Sequence, residues 1–280
     1  MEIAIDRVER APVHGGNGQV DAKRVLISTA DFVSISPFLR FSEDWFQAPG
    51  GFDTHPHRGM QTVTLVLEGA LHHRDHTGGE GVLQAGDVQW MTAGRGVLHS
   101  EKPWGANPVH TLQLWLNLPS RLKMLPARYT DQPFSGVPVH REPGVEVKVF
   151  AGRAGEAEHQ HGSDWPLIFL DIQLDREAIY RAEVPASWRG FLYVVDGEGL
   201  AGRNEIKVMA PDMAWFEPSS DAPEAVANMT ITASSSLRLL LFAGPPIDEP
   251  VVAYGPFVMT TAEEIQRAFD DFRHNRLTDG

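Results

Sequence analysis

Short apolar segments separated by glycine-containing turns dominate residues 62–118 of this chain. In order they are TVTLVLE, ALHHRDH, VLQ, VQWMTA, VLHSEK and HTLQLWLNL. Strands of this length at intervals of about eight to twelve residues are typical of a β-sandwich or β-barrel. The sequence therefore predicts an all-β fold, and RVLIST and FVSISPFLRF near the start are interpreted as further short strands.

The second half of the sequence repeats the pattern of the first. Three pairs of similar segments occur in the same order: LVLEGAL (65–71) with YVVDGEGL (193–200), LQAGDVQW (83–90) with VMAPDMAW (208–215), and HTLQLWLNLP (110–119) with LRLLLFAGPP (237–246). Chance similarity of short apolar strands is the alternative, but it does not explain a shared order. We therefore predict two copies of one β-domain, at residues 1–130 and 131–280, joined around residues 119–145.

The segment TTAEEIQRAFDDFRHNRL near the C-terminus has a different pattern. Thr261 is followed three residues later by Glu264, the spacing of a capping box at a helix start. Apolar residues then recur at helical spacing, at Ile265, Ala268, Phe269 and Phe272. This pattern predicts one amphipathic α-helix that packs on the β-body and carries no chemistry.

Charge and composition restrict the classes of function. The net charge of -13 argues against direct binding to nucleic acid or to an anionic membrane surface, because both need a basic face. The chain has no cysteine, so a metal would be held by His, Asp or Glu. The start of the sequence lacks the apolar core of a signal peptide, and no apolar run reaches the length of a membrane span. A cytoplasmic protein is expected.

Two pairs of side chains have the spacing of metal ligands. His55 and His57 lie two residues apart in FDTHPHRGMQT, and His99 and Glu101 lie two apart in VLHSE, after the glycine turn GRG. On an extended strand such residues point to the same face. Two pairs on neighbouring strands would direct three imidazoles and one carboxylate into the barrel. That set suits a divalent first-row metal such as iron, manganese, nickel, cobalt or zinc, with coordination positions left open for substrate, water or dioxygen.

Other histidine clusters have a weaker pattern. In LHHRDH, His72 and His76 share one strand face, whereas His73 and Asp75 share the other. In EHQH, His159 and His161 fall in a polar loop. For these clusters we favour ordinary surface or hydrogen-bonded residues over metal ligands.

Two long stretches resemble the pirin family of the cupin superfamily: HPHRGMQTVTLVLEG and GDVQWMTAGRGVLHSE. The resemblance extends to ISPFLRF, WRGFLYVVDGEG and EPVVAYGPFVMTTAEEI, and so spans almost the whole chain. Gln61 replaces the glutamate of typical cupins, and Gly94 replaces the usual proline of the second motif. Glu101 matches the position from which pirins supply their carboxylate.

The resemblance implies a bicupin, with two tandem jelly-roll β-barrels and a C-terminal α-helix. It implies one metal on His55, His57, His99 and Glu101, expected to be iron, with manganese, nickel, cobalt, copper or zinc as alternatives. The second barrel should be metal-free, because its segments VPASWRG and EPSSDAPEAVANM contain no histidine.

Two functions are implied by the resemblance. Some pirins are flavonol dioxygenases similar to quercetin 2,3-dioxygenase, which would make a flavonol and O₂ the substrates and Glu101 the general base. Others are metal-dependent regulators, which would make this chain a redox-responsive module that binds a protein partner. The same four ligands serve both functions, so the sequence leaves them open.

Several neighbouring residues are candidates for supporting roles. His73, Asp75 and Gln61 are candidates to orient the ligating imidazoles, with ordinary strand residues as the alternative. Arg58 and Arg95 would either attract an anionic ligand or form salt bridges. A last group would either line an apolar pocket or belong to the core: Met60, Trp90, Met91 and Trp115.

Overall fold

The computed structural model describes residues 1–28, 31–159, 162–218 and 225–279, and β-strands are its main secondary structure. In the first half of the chain the strands are β1 (Arg7–Glu9), β2 (Val13–Gly15), β3 (Ala22–Ile27), β4 (Phe38–Phe46), β5 (Phe52–His57), β6 (Met60–Glu68), β7 (Ala70–Asp75), β8 (Glu80–Gln84), β9 (Val88–Thr92), β10 (Val97–Pro103), β11 (Val109–Asn117) and β12 (Arg128–Gln132). The predicted all-β fold is confirmed.

The second half of the chain adds further strands and the C-terminal helix. The strands are β13 (Val139–Glu142), β14 (Val145–Ala154), β15 (Ala157–His159), β16 (Ile168–Leu174), β17 (Ile179–Pro185), β18 (Arg189–Asp196), β19 (Glu198–Ala201), β20 (Ile206–Met209), β21 (Met213–Phe216), β22 (Val226–Ala233), β23 (Leu237–Gly244), β24 (Val252–Tyr254) and β25 (Phe257–Met259). The α-helices are α1 (Phe32–Ile35) and α2 (Ala262–Arg273), and 3-10 turns occupy Ser120–Leu122 and Phe134–Gly136.

Contacts group the chain into two compact units. The N-terminal unit comprises Pro12–Gly136 and Ile247–Gly280, and the C-terminal unit comprises Met1–Ala11 and Val137–Pro246. The single boundary after residue 130 stays a prediction, and the compact units differ from it at both ends of the chain. The first residues join the C-terminal unit because β1 pairs with β21. The last residues join the N-terminal unit because β25 and α2 share an apolar cluster with Leu98 of β10.

In the N-terminal unit, two antiparallel sheets face each other. The larger sheet has the strand order β12-β9-β6-β11-β4-β3-β2, and the smaller has β5-β10-β7-β8. Side chains meet between them: Gln113 of β11 hydrogen-bonds to Glu101 of β10, and the ring of Tyr129 of β12 contacts His73 of β7. This is a jelly-roll arrangement.

The C-terminal unit repeats this strand order. Its larger sheet runs β1-β21-β18-β23-β16-β14-β13, with β15 added beside β14, and its smaller sheet runs β17-β22-β19-β20. The similar segments of the sequence therefore lie on matching strands: β6 with β18, β9 with β21, and β11 with β23. The predicted duplication is confirmed.

The helix α2 begins at the predicted capping box. Thr261 Oγ1 accepts a hydrogen bond from the Glu264 amide at 3.2 Å, and Glu264 Oε2 accepts one from the Thr261 amide at 3.1 Å. Ile265 and Ala268 of the predicted apolar stripe are buried, whereas Phe272 is 39% exposed. In the part of the chain that the structure describes, no helix has the length and apolarity needed to span a membrane.

Two local predictions differ from the structure. Phe32–Ile35 forms a helical turn where FVSISPFLRF predicted a strand, because Asp31 Oδ1 accepts a hydrogen bond from the Ser34 amide at 3.3 Å and caps the turn. Residues 119–145 are also more than a linker, because β12 pairs with β9 and β13 pairs with β14.

Candidate metal centre

Three histidines converge between the two sheets of the N-terminal unit. His99 of β10 lies directly opposite His55 of β5, and His57 follows on the same face of β5. The ring centroids are 4.3 Å apart for His55 and His99, 4.9 Å for His55 and His57, and 5.1 Å for His57 and His99. One nitrogen from each ring can be chosen so that all three lie within 4.8 Å of one another. This spacing allows one metal ion to bind all three.

The hydrogen bonding of these rings fits a cation. His57 and His99 are both 2% exposed. Neither nitrogen of His99, nor Nδ1 of His57, has a hydrogen-bond partner among the described residues. An unpaired buried polar group destabilises a fold by about 1–3 kcal/mol, and coordination to a metal would remove that penalty. Nδ1 of His55 lies 2.8 Å from the Asp53 carbonyl, which leaves the other nitrogen free to coordinate.

Burial also keeps the three imidazoles neutral, which is the form that binds metals. Desolvation lowers the pKa of His57 to about 3, helped by the neighbouring His55. Desolvation lowers the pKa of His99 well below its usual value of 6.5, and lowers that of His55 as well. At neutral pH the site therefore presents lone pairs instead of imidazolium ions.

Glu101 is buried beside this group but is held by a different contact. Its carboxylate lies outside the group of three nitrogens. Nε2 of Gln113 donates to both of its oxygens, at 3.2 Å each. Desolvation raises the Glu101 pKa to about 7, although the Gln113 hydrogen bond acts in the opposite direction. The role of Glu101 as fourth ligand stays a prediction.

Gln113 was not identified from the sequence, and it links Glu101 to Trp115, an aromatic residue at the site. Its Oε1 accepts a hydrogen bond from Trp115 Nε1 at 2.9 Å, so its amide group must turn the NH₂ side towards Glu101. The indole of Trp115 in turn meets the His57 ring edge-on, with centroids 5.0 Å apart. The sequence signal for Gln113 is a polar residue in HTLQLWLNL two positions before Trp115, because residues two apart on a strand share one face.

Of the three candidates for orienting the ligands, Gln61 and Asp75 are held by other partners, and His73 faces the site. Gln61 Nε2 donates to Thr92 Oγ1 at 3.3 Å. Gln61 and Thr64 lie on opposite faces of β6, so the Gln61 side chain points away from the site. Asp75 Oδ1 accepts from Thr77 Oγ1 at 2.6 Å and from two backbone amides of the β7–β8 turn. His73 faces the site and contacts the His99 ring, with centroids 5.2 Å apart.

Arg58 forms a salt bridge, which was one of its two predicted roles. Its guanidinium donates to Asp271 Oδ2 at 2.8 Å, to the Leu277 carbonyl at 3.1 Å and to the Arg95 carbonyl. Arg58 directly follows the candidate ligand His57, so these contacts anchor the end of β5 to α2 and the residues after it.

A buried lysine anchors the same backbone. Lys123 Nζ donates to the Gly59 carbonyl at 2.9 Å, to Asn117 Oδ1 at 2.7 Å and to the Val258 carbonyl at 3.1 Å. Burial lowers its pKa to about 8. No role was predicted for Lys123, since two of its partners, Gly59 and Val258, lie 64 and 135 positions away in the chain.

The apolar candidates divide between core and site. Met60, Trp90 and Met91 are at most 1% exposed and belong to the core, whereas Trp115 contacts a candidate ligand. Of the other histidines, His72 pairs with Glu80 at 2.7 Å, and His76 Nδ1 lies 3.4 Å from the Leu98 amide. His159 is half-buried at the end of β15, and His161 lies outside the described residues.

The matching strands of the C-terminal unit are apolar. β17 and β22 occupy the places of β5 and β10, and their inward residues belong to a fully buried cluster: Ala182, Val184, Met229 and Ile231. These four side chains offer no imidazole and no carboxylate. The absence of a metal from the second barrel stays a prediction. The apolar residues at the places of the histidines support it.

Comparisons with known proteins agree with this architecture. The Pirin family matches residues 20–116, and the Pirin C-terminal cupin domain matches residues 169–278. A pirin-like protein of Solanum lycopersicum is 37% identical over 271 residues, which cover 97% of this chain and 91% of that protein.

Solved structures match across both halves of the chain. A quercetin 2,3-dioxygenase of Acinetobacter baumannii superposes with a TM-score of 0.88 at 29% identity, covering 99% of this chain and 98% of that one. The bacterial pirin YhhW of Escherichia coli, solved with nickel(II), gives 0.68 at 24% identity, covers 86% and 99%, and shows the shared fold. Two cupin domains in tandem, and relatives that match nearly end to end, place this chain in the pirin family.

Proposed function

We propose that this protein is an iron-dependent dioxygenase that cleaves flavonols such as quercetin with O₂. The observation that carries the proposal is the convergence of His55, His57 and His99 beside the buried carboxylate of Glu101. The likeness to a quercetin 2,3-dioxygenase over nearly the whole chain supports the choice of substrate.

In this proposal, His55, His57, His99 and Glu101 hold the metal. When bound, the metal would supply Lewis acidity, which lowers the pKa of a hydroxyl group coordinated to it. The imidazoles are suited to that task because burial keeps them unprotonated.

Glu101 has a second role, as the base that takes the proton of the substrate hydroxyl. Without metal, burial raises the Glu101 pKa to about 7. A bound cation would lower it again, so the carboxylate would be ionised and able to accept a proton at neutral pH. Gln113 holds both carboxylate oxygens and so fixes the direction from which the proton is taken. The edge-on contact of Trp115 with His57 helps to exclude water from this side of the site.

The test is oxygen uptake with quercetin by anaerobically purified protein of known metal content. Iron-loaded wild type should consume O₂, and Glu101→Gln should lower kcat by roughly 100-fold or more, the size expected for loss of a positioned general base. His72→Gln is a matched control, because His72 lies on the outer face of the adjacent strand and pairs with Glu80.

Absence of uptake with quercetin and related aromatic enols, for protein loaded with iron, nickel or manganese, would refute the proposal. Binding of a protein partner to the iron-loaded form alone would then favour the regulatory alternative. Turnover of the substrate without O₂ consumption would likewise refute a dioxygenase.

A further inference from the structure

His73 is a fourth histidine at the metal centre. It lies on β7 directly opposite Glu101 of β10, and its side chain is 0% exposed. Its ring centroid is 5.2 Å from that of His99 and 4.8 Å from that of Tyr129. It does not belong to the group of three nitrogens that one cation can bridge.

Both ring nitrogens of His73 are buried and lack a hydrogen-bond partner among the described residues. The adjacent His72 differs, because its Nε2 lies 2.7 Å from Glu80 on the outer face of the same strand. Buried polar groups in folded proteins are nearly always hydrogen-bonded, and an exception calls for a ligand or a functional reason.

The C-terminal unit shows that the fold itself does not need a histidine at this place. His73 is the fourth residue after Gly69, which turns between β6 and β7 with φ 76°. The fourth residue after the matching turn glycine, Gly197 with φ 83°, is Ala201. Ala201 is 1% exposed and lies in the apolar core. An imidazole therefore occurs in the unit with the candidate metal ligands, and a small apolar residue occurs in the other.

We propose that His73 is a substrate-contacting residue, which hydrogen-bonds to a hydroxyl or carbonyl oxygen of the molecule held at the metal. The imidazole offers one N–H donor and one acceptor nitrogen. The ring of Tyr129 beside it adds an aromatic wall. Together they fit a planar, hydroxylated aromatic compound. The identification of that compound as a flavonol rests on the proposed function.

The test combines metal content, ligand affinity and stability of His73→Phe. The variant should retain the metal content of wild type. In anaerobic titrations of nickel-loaded protein, its Kd for quercetin should rise about tenfold. The metal-free variant should also unfold at a higher temperature than metal-free wild type, because two unpaired buried nitrogens are removed. A residue with only a structural role would not combine higher stability with weaker binding.

Two further variants keep the result interpretable. His73→Gln retains a donor and an acceptor, and should recover part of the quercetin affinity even if the phenylalanine packs poorly. His72→Phe places the same aromatic ring one residue away on the outer face, and should leave affinity unchanged.

Equal quercetin affinity of His73→Phe and wild type would overturn the proposal, and so would loss of the metal, which would make His73 a ligand. If wild type does not bind quercetin, the proposed function fails instead. Azide binding to the cobalt-loaded protein then decides the role of His73: a Kd raised at least threefold in His73→Phe supports it, and an unchanged Kd overturns it.

Discussion

Replacing Glu101 by glutamine should stabilise the metal-free protein at alkaline pH, although the same change should remove activity. The Glu101 side chain is 4% exposed, and burial raises its pKa from 4.5 to about 7 in the folded state. In the unfolded chain the carboxyl group returns to its ordinary pKa. Folding therefore favours the protonated form, and ionisation above pH 7 opposes folding.

The size of the effect follows from the two pKa values. A difference of one pKa unit corresponds to 1.36 kcal/mol, so the ionised carboxylate destabilises the folded state by about 3 kcal/mol at pH 8. The penalty is absent below pH 4.5 and grows as the pH rises from 4.5 through 7. Glutamine avoids the charge, but its NH₂ group faces the NH₂ group of Gln113. That unfavourable contact should reduce the net gain to about 2 kcal/mol.

Thermal unfolding of the metal-free proteins between pH 4 and pH 8.5 measures this difference. At pH 8 the Glu101→Gln variant should have a Tm roughly 4–8 °C above that of wild type, and at pH 4 the two should agree or the variant should be slightly less stable. With saturating metal the order should reverse at pH 8, because only wild type gains the carboxylate ligand. A difference in Tm that does not change with pH would refute a buried carboxyl group with a raised pKa.

Three other substitutions test the surroundings of the centre. Gln113→Leu removes the donor to both oxygens of Glu101, and should weaken metal affinity by roughly 10-fold or more, as measured by competition with a chelator. Arg58→Met removes the donor to the Leu277 and Arg95 carbonyls and leaves Asp271 with only its longer contact to Arg276, at 3.6 Å. It should lower the free energy of unfolding by about 3 kcal/mol and speed amide exchange in α2 before the β-sheets. Lys123→Met leaves two carbonyls and an amide oxygen without their donor, and should cost about 3 kcal/mol in urea unfolding, with an unchanged m-value.

Much of the fold could be predicted because its signals are local. Alternating apolar residues and glycine turns mark the strands, and the same signals recur in the second half of the chain. The pairs at His55/His57 and His99/Glu101 were likewise visible, since residues two apart on a strand share one face. Convergence of the three histidines followed from that spacing once β5 and β10 were neighbours.

The features that were not predicted depend on contacts between distant segments. The pairing of β1 with β21 places the start of the chain in the C-terminal unit, and the packing of α2 beside β10 places its end in the N-terminal unit. No local sequence pattern marks either contact. The orientation of Gln113 is set by Trp115 and Glu101 on two different strands. The unpaired nitrogens of His73 become evident only when its neighbours in space are known.

The anchoring of Arg58 affects the order in which the centre can be completed during synthesis. Its partners Asp271 and Leu277 lie 213 and 219 positions later in the chain. All four candidate ligands therefore leave the ribosome long before it has made these two C-terminal partners of Arg58. A nascent chain of 250 residues would carry the three imidazoles but would lack Asp271 and Leu277. Tight metal loading should consequently follow translation of the helix, and not accompany the emergence of the histidines.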